Sequence, residues 1–217
     1  MIKCADIYGI VRNWADFEYR PRPDMDLAPL RAGEVDRVAY ARARSLLVRT
    51  CSEIWAWYPS QNGVLTIERK QEPLRGVRWN IGSGLHRGYT LEESVRRAAI
   101  KEAGLEMEEN LFMLSPPMMG FWERSPIESH PDMIGMPKGI QDFSVVLFGR
   151  AKSDSEVRLD DTSKEYHILT EGEFLRDSKS FHPYLQEVLP VVFDIGTGRV
   201  VIPEVGKRIR PPKKSRR

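Results

Sequence analysis

The sequence has few of the residues on which several classes of protein depend. Its only two cysteines, Cys4 and Cys51, are far apart and lack metal-site spacing, so we expect reduced, packed thiols. No run of about 18 apolar residues occurs, so we expect no membrane-spanning helix. Charged residues interrupt residues 1–20 before a secretory signal segment forms. The sequence therefore predicts a cytoplasmic protein with no membrane span.

The net charge differs between the body of the chain, which is slightly acidic, and its end, which is strongly basic. The 217 residues include 33 Lys and Arg against 31 Asp and Glu, for a net charge of +2. Residues 203–217 carry seven basic side chains and one acidic one, so this tail is +6 and the rest of the chain about −4. Two interpretations follow: a solvated, disordered tail, or a weak contact of residues 207–217 with nucleic acid or another anionic surface. The lack of aromatic residues and the Pro-Pro pair favour disorder.

The length favours one domain with extensions. We divide the chain into an N-terminal strand and connector at residues 1–29, a main domain at 30–190, a C-terminal hairpin at 191–202 and the basic tail at 203–217. In the hairpin, two short apolar segments flank a Gly-Thr-Gly turn.

Apolar periodicity predicts alternating helices and strands in the main domain. Residues 34–44 have helical spacing, and the Asn62-Gly63 pair predicts a hairpin turn between two strands. Residues 123–141 are rich in Pro, Gly and Met and are predicted to form a long loop. A further helix is expected from Pro183 to Leu189. The predicted strands are 4–12, 45–58, 64–70, 110–114, 120–122, 143–151 and 166–170.

The most informative segment is residues 79–105, in which a glycine loop leads into a capped helix. Thr90 followed by Glu93 forms a capping-box pattern, so the helix is predicted to begin at Leu91. Leu91, Val95, Ala98 and Glu102 then share one face, and Gly104 ends the helix. One carboxylate, that of Glu102, therefore lies on the apolar, inward-facing side.

This segment resembles the signature box of the Nudix hydrolases, in which helical glutamates bind divalent metal ions against a diphosphate. The motif arginine corresponds to Arg97 and the last glutamate to Glu102, whereas the other glutamate positions hold Tyr89, Ala98 and Lys101. The resemblance implies an α/β fold, a Nudix-type α/β/α sandwich with a mixed central sheet and N- and C-terminal extensions. It also implies a nucleotide-type small molecule as ligand.

Residues 91–105 are similar to the box of the GDP-mannose mannosyl hydrolases, a subgroup that also lacks glutamate at the positions of Ala98 and Lys101. That subgroup hydrolyses a nucleotide sugar with a single Mg2+. The resemblance implies that Glu102 binds one Mg2+ (or Mn2+) and that Gly82 or Ser83 contributes a carbonyl. The subgroup's glutamine and histidine fall on Thr162 and Ser163, and its loop arginine on Gly84, so these functions must come from other residues.

Asp160 and Asp161 are candidates for the missing metal ligands, because a carboxylate binds Mg2+ better than an amide does. His130, in the long loop, is the candidate general base, since imidazole titrates near working pH. As alternatives, the two aspartates are solvated turn residues and His130 is a surface residue.

The remaining candidate site residues lie in the box or close to it in sequence. Arg97 is expected to orient Glu102 by a charge-assisted pair. Lys101 either replaces part of the metal charge toward a phosphate or extends to solvent. Together with Lys101, the expected substrate contacts are Gly82, Ser83 and Gly84.

Two functions compete on this evidence. The first is hydrolysis of a nucleoside diphosphate derivative, such as a nucleotide sugar, with a single metal ion. The second is a catalytically inactive Nudix-fold module that binds a nucleotide or a protein. An RNA-associated function through residues 207–217 has less support, because the body of the chain is acidic. A dimer is the expected assembly if the chain associates with itself.

Overall fold

The structure is a computed structural model that describes residues 2–5, 11–13, 37–85, 88–122, 131–136, 139–152 and 156–200. In this part of the chain, nine strands join one mixed sheet, with helices packed on both faces. The strands are β1 (Ile2–Ala5), β2 (Val11–Asn13), β3 (Arg49–Tyr58), β4 (Gly63–Arg69), β5 (Arg78–Trp79), β6 (Ile81–Gly84), β7 (Met107–Trp122), β8 (Ile140–Ala151) and β9 (Ser163–Thr170). The helices are α1 (Arg37–Leu46), α2 (Leu91–Ala103), α3 (Glu171–Arg176) and α4 (Pro183–Gly196).

The sheet is mixed, as predicted, with the order β2-β1-β7-β8-β3-β4-β5. β3 runs parallel to β8, and β1 runs parallel to β7, whereas the other pairs are antiparallel. β4 pairs with β3 only next to the hairpin turn, at Trp57 and Tyr58. Beyond that point β5 pairs with β4 while β6 pairs with β3, so residues 78–84 lie between the two diverging strands. This segment, residues 78–84, is called the wedge below. It places Gly82, Ser83 and Gly84 of the glycine loop at the centre of the sheet.

β3 divides the interior into two apolar cores, because successive side chains of a strand point to opposite faces. Ile54, Ala56 and Tyr58 pack with α2 on one face. Trp55 and Trp57 pack with α4 on the other. The second half of β3, residues 54–58, is fully enclosed by these cores, which explains why it is apolar and aromatic.

The prediction of a C-terminal hairpin at 191–202 is wrong, because residues 191–196 continue α4. The buried residues Leu185, Leu189, Val192 and Phe193 follow helical spacing and face the second core. Burial of this apolar face outweighs the hydrogen bond that Pro190 cannot donate inside the helix. From the sequence, this helix was predicted to end at Leu189, and the apolar residues that follow were assigned to the hairpin.

Two other predictions needed adjustment. The fragments predicted at 110–114 and 120–122 belong to one strand, β7, whose pairing with β8 changes register between Leu114 and Met118. Pro116 and Pro117 lie at this irregularity, since proline cannot donate to a regular ladder. The strand predicted at 4–12 is described as two antiparallel strands, β1 and β2.

Several predicted features lie outside the described residues, namely the connector at 20–30, His130, most of the long loop and the basic tail. The division of the chain into domains stays a prediction. In the described part, no helix is long and apolar enough to cross a membrane.

Packing against Trp57 requires a glycine at position 196. A Cβ atom at Gly196 would lie 2.3 Å from the Trp57 ring, which is fully buried. We expect Gly196→Ala to lower the free energy of unfolding by about 1–3 kcal/mol, because neither group can move away easily. Urea unfolding followed by tryptophan fluorescence measures this change.

Gly172→Ala, in α3, is the matched control because a Cβ atom there would meet nothing within 4 Å. We expect this change to stabilise the protein by about 0.4–1 kcal/mol through the lower entropy of the unfolded chain. Equal effects of the two substitutions would contradict the packing role of Gly196.

Candidate functional site

Helix α2 begins and ends where the sequence predicts. The Thr90 hydroxyl accepts from the Glu93 amide at 3.2 Å, and the Glu93 carboxylate accepts from the Thr90 amide at 2.7 Å, which completes the capping box. Gly104 ends the helix with a φ of +67°. Its left-handed conformation suits glycine and lets its amide donate to the carbonyl of Ile100. These two ends fix the rotation of the helix and place Glu102 in its last turn.

The Glu102 carboxyl binds the glycine loop directly. Its Oε2 accepts from the Gly82 amide at 3.3 Å, and its Oε1 has no hydrogen-bond partner among the described residues. Burial raises the pKa of Glu102 to about 7, and the negative charge of Asp160 acts in the same direction. The Gly82 amide and the positive charges of Arg69 and Lys101 act against this rise. Glu102 is therefore a partly buried acid, and the positive charge around it is too small to cancel the rise in its pKa that burial causes.

Asp160 is the second carboxylate at this position. Its amide donates to the backbone carbonyl of Glu102 at 3.2 Å. Its own carboxylate accepts from the amide and hydroxyl of Thr162, at 3.0 and 2.6 Å. Asp161 is exposed in the same turn. Among the described residues, no three His, Cys, Asp or Glu side chains come together as a group that could hold a metal ion.

The groups around Glu102 suit a hard cation. Glu102 and Asp160 supply carboxylate oxygens. In a strand, the N–H and C=O of one residue point to the same side, so the Gly82 carbonyl lies on the side of its amide, toward Glu102. Mg2+ and Mn2+ prefer such oxygen ligands. Two carboxylates are better suited to binding one divalent cation than to binding two. The metal role of these residues, and of Asp161, stays a prediction.

The loop residues predicted to contact substrate follow Gly82 along β6. Ser83 donates from its hydroxyl to the carbonyl of Gly84 at 3.0 Å. Gly84 is buried and pairs with Cys51 of β3. Lys101 is exposed and has no bonded partner in the described part of the chain. Their contacts with a substrate remain predictions.

Arg97 does not form the pair with Glu102 that the resemblance implies. It is exposed, and its guanidinium lies 4.4 Å from the centre of the Tyr89 ring, a cation–π arrangement. The reason is geometric, because side chains five residues apart on a helix are separated by about 140° around its axis. Tyr89, at a position where the box has glutamate, thus holds the motif arginine away from Glu102.

Arg96, the neighbour of Arg97, anchors α2 to the next strand. Its Nη1 donates to the carbonyls of Met107 and Glu108, and its Nη2 donates to that of Glu109 at 2.7 Å. Its Nε donates to Glu92 one turn earlier, at 3.0 Å. These bonds fix α2 against the start of β7. Because Arg96 and Arg97 are consecutive, the sequence does not indicate which of them anchors α2 and which stacks on Tyr89.

The sequence analysis missed Glu53, a buried acid in the middle of β3. Its Oε1 accepts from the Ser144 hydroxyl at 2.8 Å, and its Oε2 accepts from the Trp79 ring nitrogen at 3.2 Å. Burial raises the pKa of Glu53 above its ordinary range, against the effect of these donors. A Cβ atom at Gly82 would lie 2.7 Å from the Glu53 Cγ. A charged residue within an otherwise apolar strand was the signal that could have identified it.

Arg69, the last residue of β4, was also missed. It is partly buried, and its Nε donates to the Pro73 carbonyl at 2.9 Å. Its positive charge acts to lower the pKa values of both Glu53 and Glu102. In the sequence, Arg69 looked like an ordinary polar residue of an alternating strand.

A separate cavity of about 510 Å³ lies on the α4 side of the sheet. Its lining includes His167 and Glu173, whose Nε2 and Oε1 atoms are 3.3 Å apart. None of its lining residues contacts Glu102, so His167 is not part of the site at the glycine loop.

No protein-family model and no curated protein matches this sequence. Among solved structures, the fold is similar to that of C. elegans Ap4A hydrolase, with a TM-score of 0.50 and 10% identity over 70% of this chain and 99% of that one. A MutT/Nudix family protein from Enterococcus faecalis gives a TM-score of 0.41 and 17% identity, covering 63% of this chain and 51% of that one.

The Nudix domain of Shewanella oneidensis NrtR, complexed with ADP-ribose, gives a TM-score of 0.47 and 11% identity, over 71% of this chain and 90% of that one. The chain spans about half the length of the Enterococcus protein. At these identities the likeness concerns the fold alone, and the Ap4A hydrolase carries it. The predicted α/β fold with a mixed central sheet is thereby confirmed.

The raised pKa of Glu102 predicts a specific dependence of stability on pH. The folded protein holds the Glu102 proton up to about pH 7, whereas the unfolded chain releases it near the ordinary value of 4.5. The stability that this proton contributes is therefore present below pH 4.5 and is lost as the pH rises through about 7. We expect wild type to lose about 1–3 kcal/mol across this window relative to Glu102→Gln.

Urea unfolding at a series of pH values measures this difference. Glu108→Gln is the matched control, because Glu108 is exposed on β7 and its side chain has no bonded partner in the described part. It should keep the wild-type profile. Parallel profiles of wild type and Glu102→Gln would show that Glu102 titrates normally.

Proposed function

We propose that this chain is a divergent Nudix hydrolase that acts on a nucleoside diphosphate derivative with one divalent cation held at Glu102 and Asp160. The observation that carries the proposal is the position of these two carboxylates. The Glu102 carboxylate accepts from the Gly82 amide of the glycine loop, and the backbone amide of Asp160 donates to the backbone carbonyl of Glu102, so the two acidic residues are neighbours. A cation stabilises the ionised form of a buried carboxylate that has a second carboxylate beside it, because both burial and the like charge disfavour that form.

When bound, the cation would neutralise phosphate charge and activate a water molecule. The chain's own residues prepare the site for it. The Gly82 amide fixes one oxygen of Glu102, and the Thr162 hydroxyl fixes one oxygen of Asp160. The unpartnered Glu102 Oε1 is then free for the cation, with the Gly82 carbonyl on the same side. Asp161 is proposed as a further oxygen ligand from the same turn.

The substrate class rests on two lines of support. The C. elegans protein with the similar fold is named as a hydrolase of Ap4A, a nucleotide derivative. The pattern of box substitutions, with Ala98 and Lys101, is similar to that of the GDP-mannose mannosyl hydrolases. A nucleotide sugar is therefore the first substrate to test. Ser83, Gly84 and Lys101 are proposed to contact its phosphates, and His130 to act as the general base.

One observation favours a second candidate, a catalytically inactive module that binds a nucleotide or a protein. Arg97 stacks on Tyr89 instead of orienting a box carboxylate, and Lys101 occupies a position where the box has glutamate. Such a protein would bind nucleotides without turning them over. Contacts of residues 207–217 with nucleic acid, and self-association into a dimer, stay predictions that neither candidate requires.

The two candidates are separated by turnover of a panel of nucleotide sugars, dinucleoside polyphosphates and nucleoside diphosphates, with Mg2+ or Mn2+ and with EDTA. For the hydrolase we expect metal-dependent turnover that falls by about a hundredfold or more in Glu102→Gln, because a ligand to the cation is lost. Glu108→Gln should retain wild-type turnover. Nucleotide binding without turnover of any panel member, unchanged in Glu102→Gln, would support the inactive module.

Metal binding can be tested without any substrate. We expect Mn2+ to raise the melting temperature of wild type and of Glu108→Gln but not of Glu102→Gln, since a ligand that binds only the folded state stabilises it. The rise should be larger above pH 7 than below it, because Glu102 must release its proton to bind the cation. Equal rises in the melting temperatures of all three proteins would show that Mn2+ binds at a site other than Glu102.

A further inference from the structure

The backbone of Gly82 is turned away from β3. Gly82 lies opposite Glu53 in the antiparallel ladder of β6 and β3. At the end of this ladder the Leu85 amide donates to the Thr50 carbonyl at 2.9 Å, and hydrogen-bonded and non-hydrogen-bonded pairs alternate from there. Gly82 and Glu53 therefore form a non-hydrogen-bonded pair. The Gly82 amide and carbonyl both point away from β3, and the amide donates to Glu102.

The Glu53 side chain packs directly on this backbone. In a non-hydrogen-bonded pair the two Cα atoms approach to about 4.5 Å, so the side chains are close together. A Cβ atom at Gly82 would lie 2.7 Å from the Cγ of Glu53 and 3.4 Å from its Cβ. Glu53 thus occupies the space that a side chain at position 82 would need, and it blocks movement of the Gly82 backbone toward it.

The Glu53 carboxyl is held at both of its oxygens. Its Oε1 accepts from the hydroxyl of Ser144 on β8 at 2.8 Å, and its Oε2 accepts from the Trp79 ring nitrogen at 3.2 Å. Glu53, Ser144 and Trp79 are buried, with 8%, 0% and 3% of their surfaces exposed. Trp79 belongs to the wedge that contains Gly82, so the Glu53 side chain ties this wedge to both β3 and β8.

We propose that Glu53 positions the glycine loop so that the Gly82 amide reaches Glu102, and that it thereby sets the affinity of the cation site. Glu53 is then a positioning residue, because it acts through Gly82 and touches neither the cation nor a substrate. The part of the proposal that concerns the cation rests on the proposed function. The part that concerns Gly82 does not, because it describes the protein without a ligand.

The contact that Glu53 preserves tolerates little movement. The Gly82 amide nitrogen lies 3.3 Å from Glu102 Oε2, beyond the usual range of about 2.7–3.2 Å, so a small shift of the loop breaks this bond. The same shift moves the Gly82 carbonyl, and Mg2+ requires nearly ideal geometry from its oxygen ligands. Residues that orient metal ligands without touching the metal contribute about 10–100-fold to metal affinity.

Two substitutions separate the hydrogen bonds of Glu53 from its packing. Glu53→Gln keeps both bonds, because the amide oxygen accepts from Trp79 and the amide nitrogen donates to the Ser144 oxygen. Glu53→Leu keeps a side chain of similar size and leaves both partners unbonded. The full-length protein is titrated with Mn2+ in a calorimeter, above the pKa of Glu102. We expect binding to be weakened by about tenfold or more in Glu53→Leu and to stay within about twofold of wild type in Glu53→Gln.

Asp142→Asn is the matched control, because Asp142 is also a buried acid that accepts from a tryptophan. The Trp122 ring nitrogen donates to it at 3.2 Å, and Arg49 donates to it at 2.8 Å. Asp142 pairs with Arg49 at the start of β3, away from Gly82. We expect this substitution to lower the melting temperature, as Glu53→Leu does, and to leave Mn2+ binding within about twofold of wild type, because distant sites act independently.

Hydrogen exchange of the Gly82 amide, followed by NMR, tests the positioning without any metal. Its exchange rate is compared with that of the Leu147 amide in the core of β8, which reports opening of the whole fold. We expect this ratio to rise by about tenfold or more in Glu53→Leu, because the Gly82 amide loses its acceptor. It should stay at the wild-type value in Glu53→Gln and Asp142→Asn.

Ser144→Ala, which removes one of the two bonds, should change both measurements in the same direction by a smaller factor, and it serves if Glu53→Leu does not fold. Wild-type Mn2+ affinity and wild-type Gly82 exchange in both variants would overturn the proposal. An equal loss of Mn2+ affinity in Glu53→Gln or Asp142→Asn would overturn it as well. A wild type that binds no Mn2+ would instead contradict the proposed function, and exchange of the Gly82 amide would still decide whether Glu53 positions the loop.

Discussion

The absence of a side chain at Gly82 is the constraint on which the site depends. Glu53 lies against Gly82 on the sheet, where a Cβ atom would overlap its Cγ, and Glu102 accepts from the Gly82 amide. Two acids with raised pKa values therefore meet at one glycine in the centre of the molecule. This is feasible because residues 78–84 are wedged between the diverging strands β3 and β4, and both cores pack against that wedge.

The two acids serve different purposes. Glu53 is fully enclosed and accepts from Ser144 and Trp79, so it joins β8, β3 and the wedge. Removing one member of such a network leaves a buried polar group unpaired, which is costly. Glu102 is only partly buried, and one of its oxygens has no hydrogen-bond partner in the part of the chain that the structure describes. The first is thus suited to hold the glycine loop in place, and the second to bind a ligand.

The sequence predicted the parts of the fold that depend on local signals. Thr90 and Glu93 begin α2, Gly104 ends it, and Asn62 with Gly63 makes the first hairpin, because each of these features is set by neighbouring residues. The second half of the C-terminal helix was missed because the Gly-Thr-Gly sequence indicated a hairpin turn, whereas burial of an apolar face against distant strands extends the helix to Gly196.

The site could also be predicted only in part, because contacts between residues remote in sequence assemble it. Glu102 was identified from its spacing, and Asp160 from its place in a matched loop. Arg69 and Glu53 come from strands remote in sequence. A charge within a buried strand marks Glu53, whereas nothing local distinguishes Arg69. Arg97 was assigned to the wrong partner because a resemblance transfers positions, whereas Tyr89 determines where that guanidinium lies. Long-range contacts decide which charges act on Glu102.

The central claim is that Glu102 and Asp160 together hold a single divalent cation at the glycine loop. An anomalous difference map from crystals soaked in Mn2+, at a pH above the pKa of Glu102, tests it most directly. The account predicts one peak bonded to oxygens of Glu102 and Asp160. Peaks only at other carboxylates, or several peaks along α2, would contradict it.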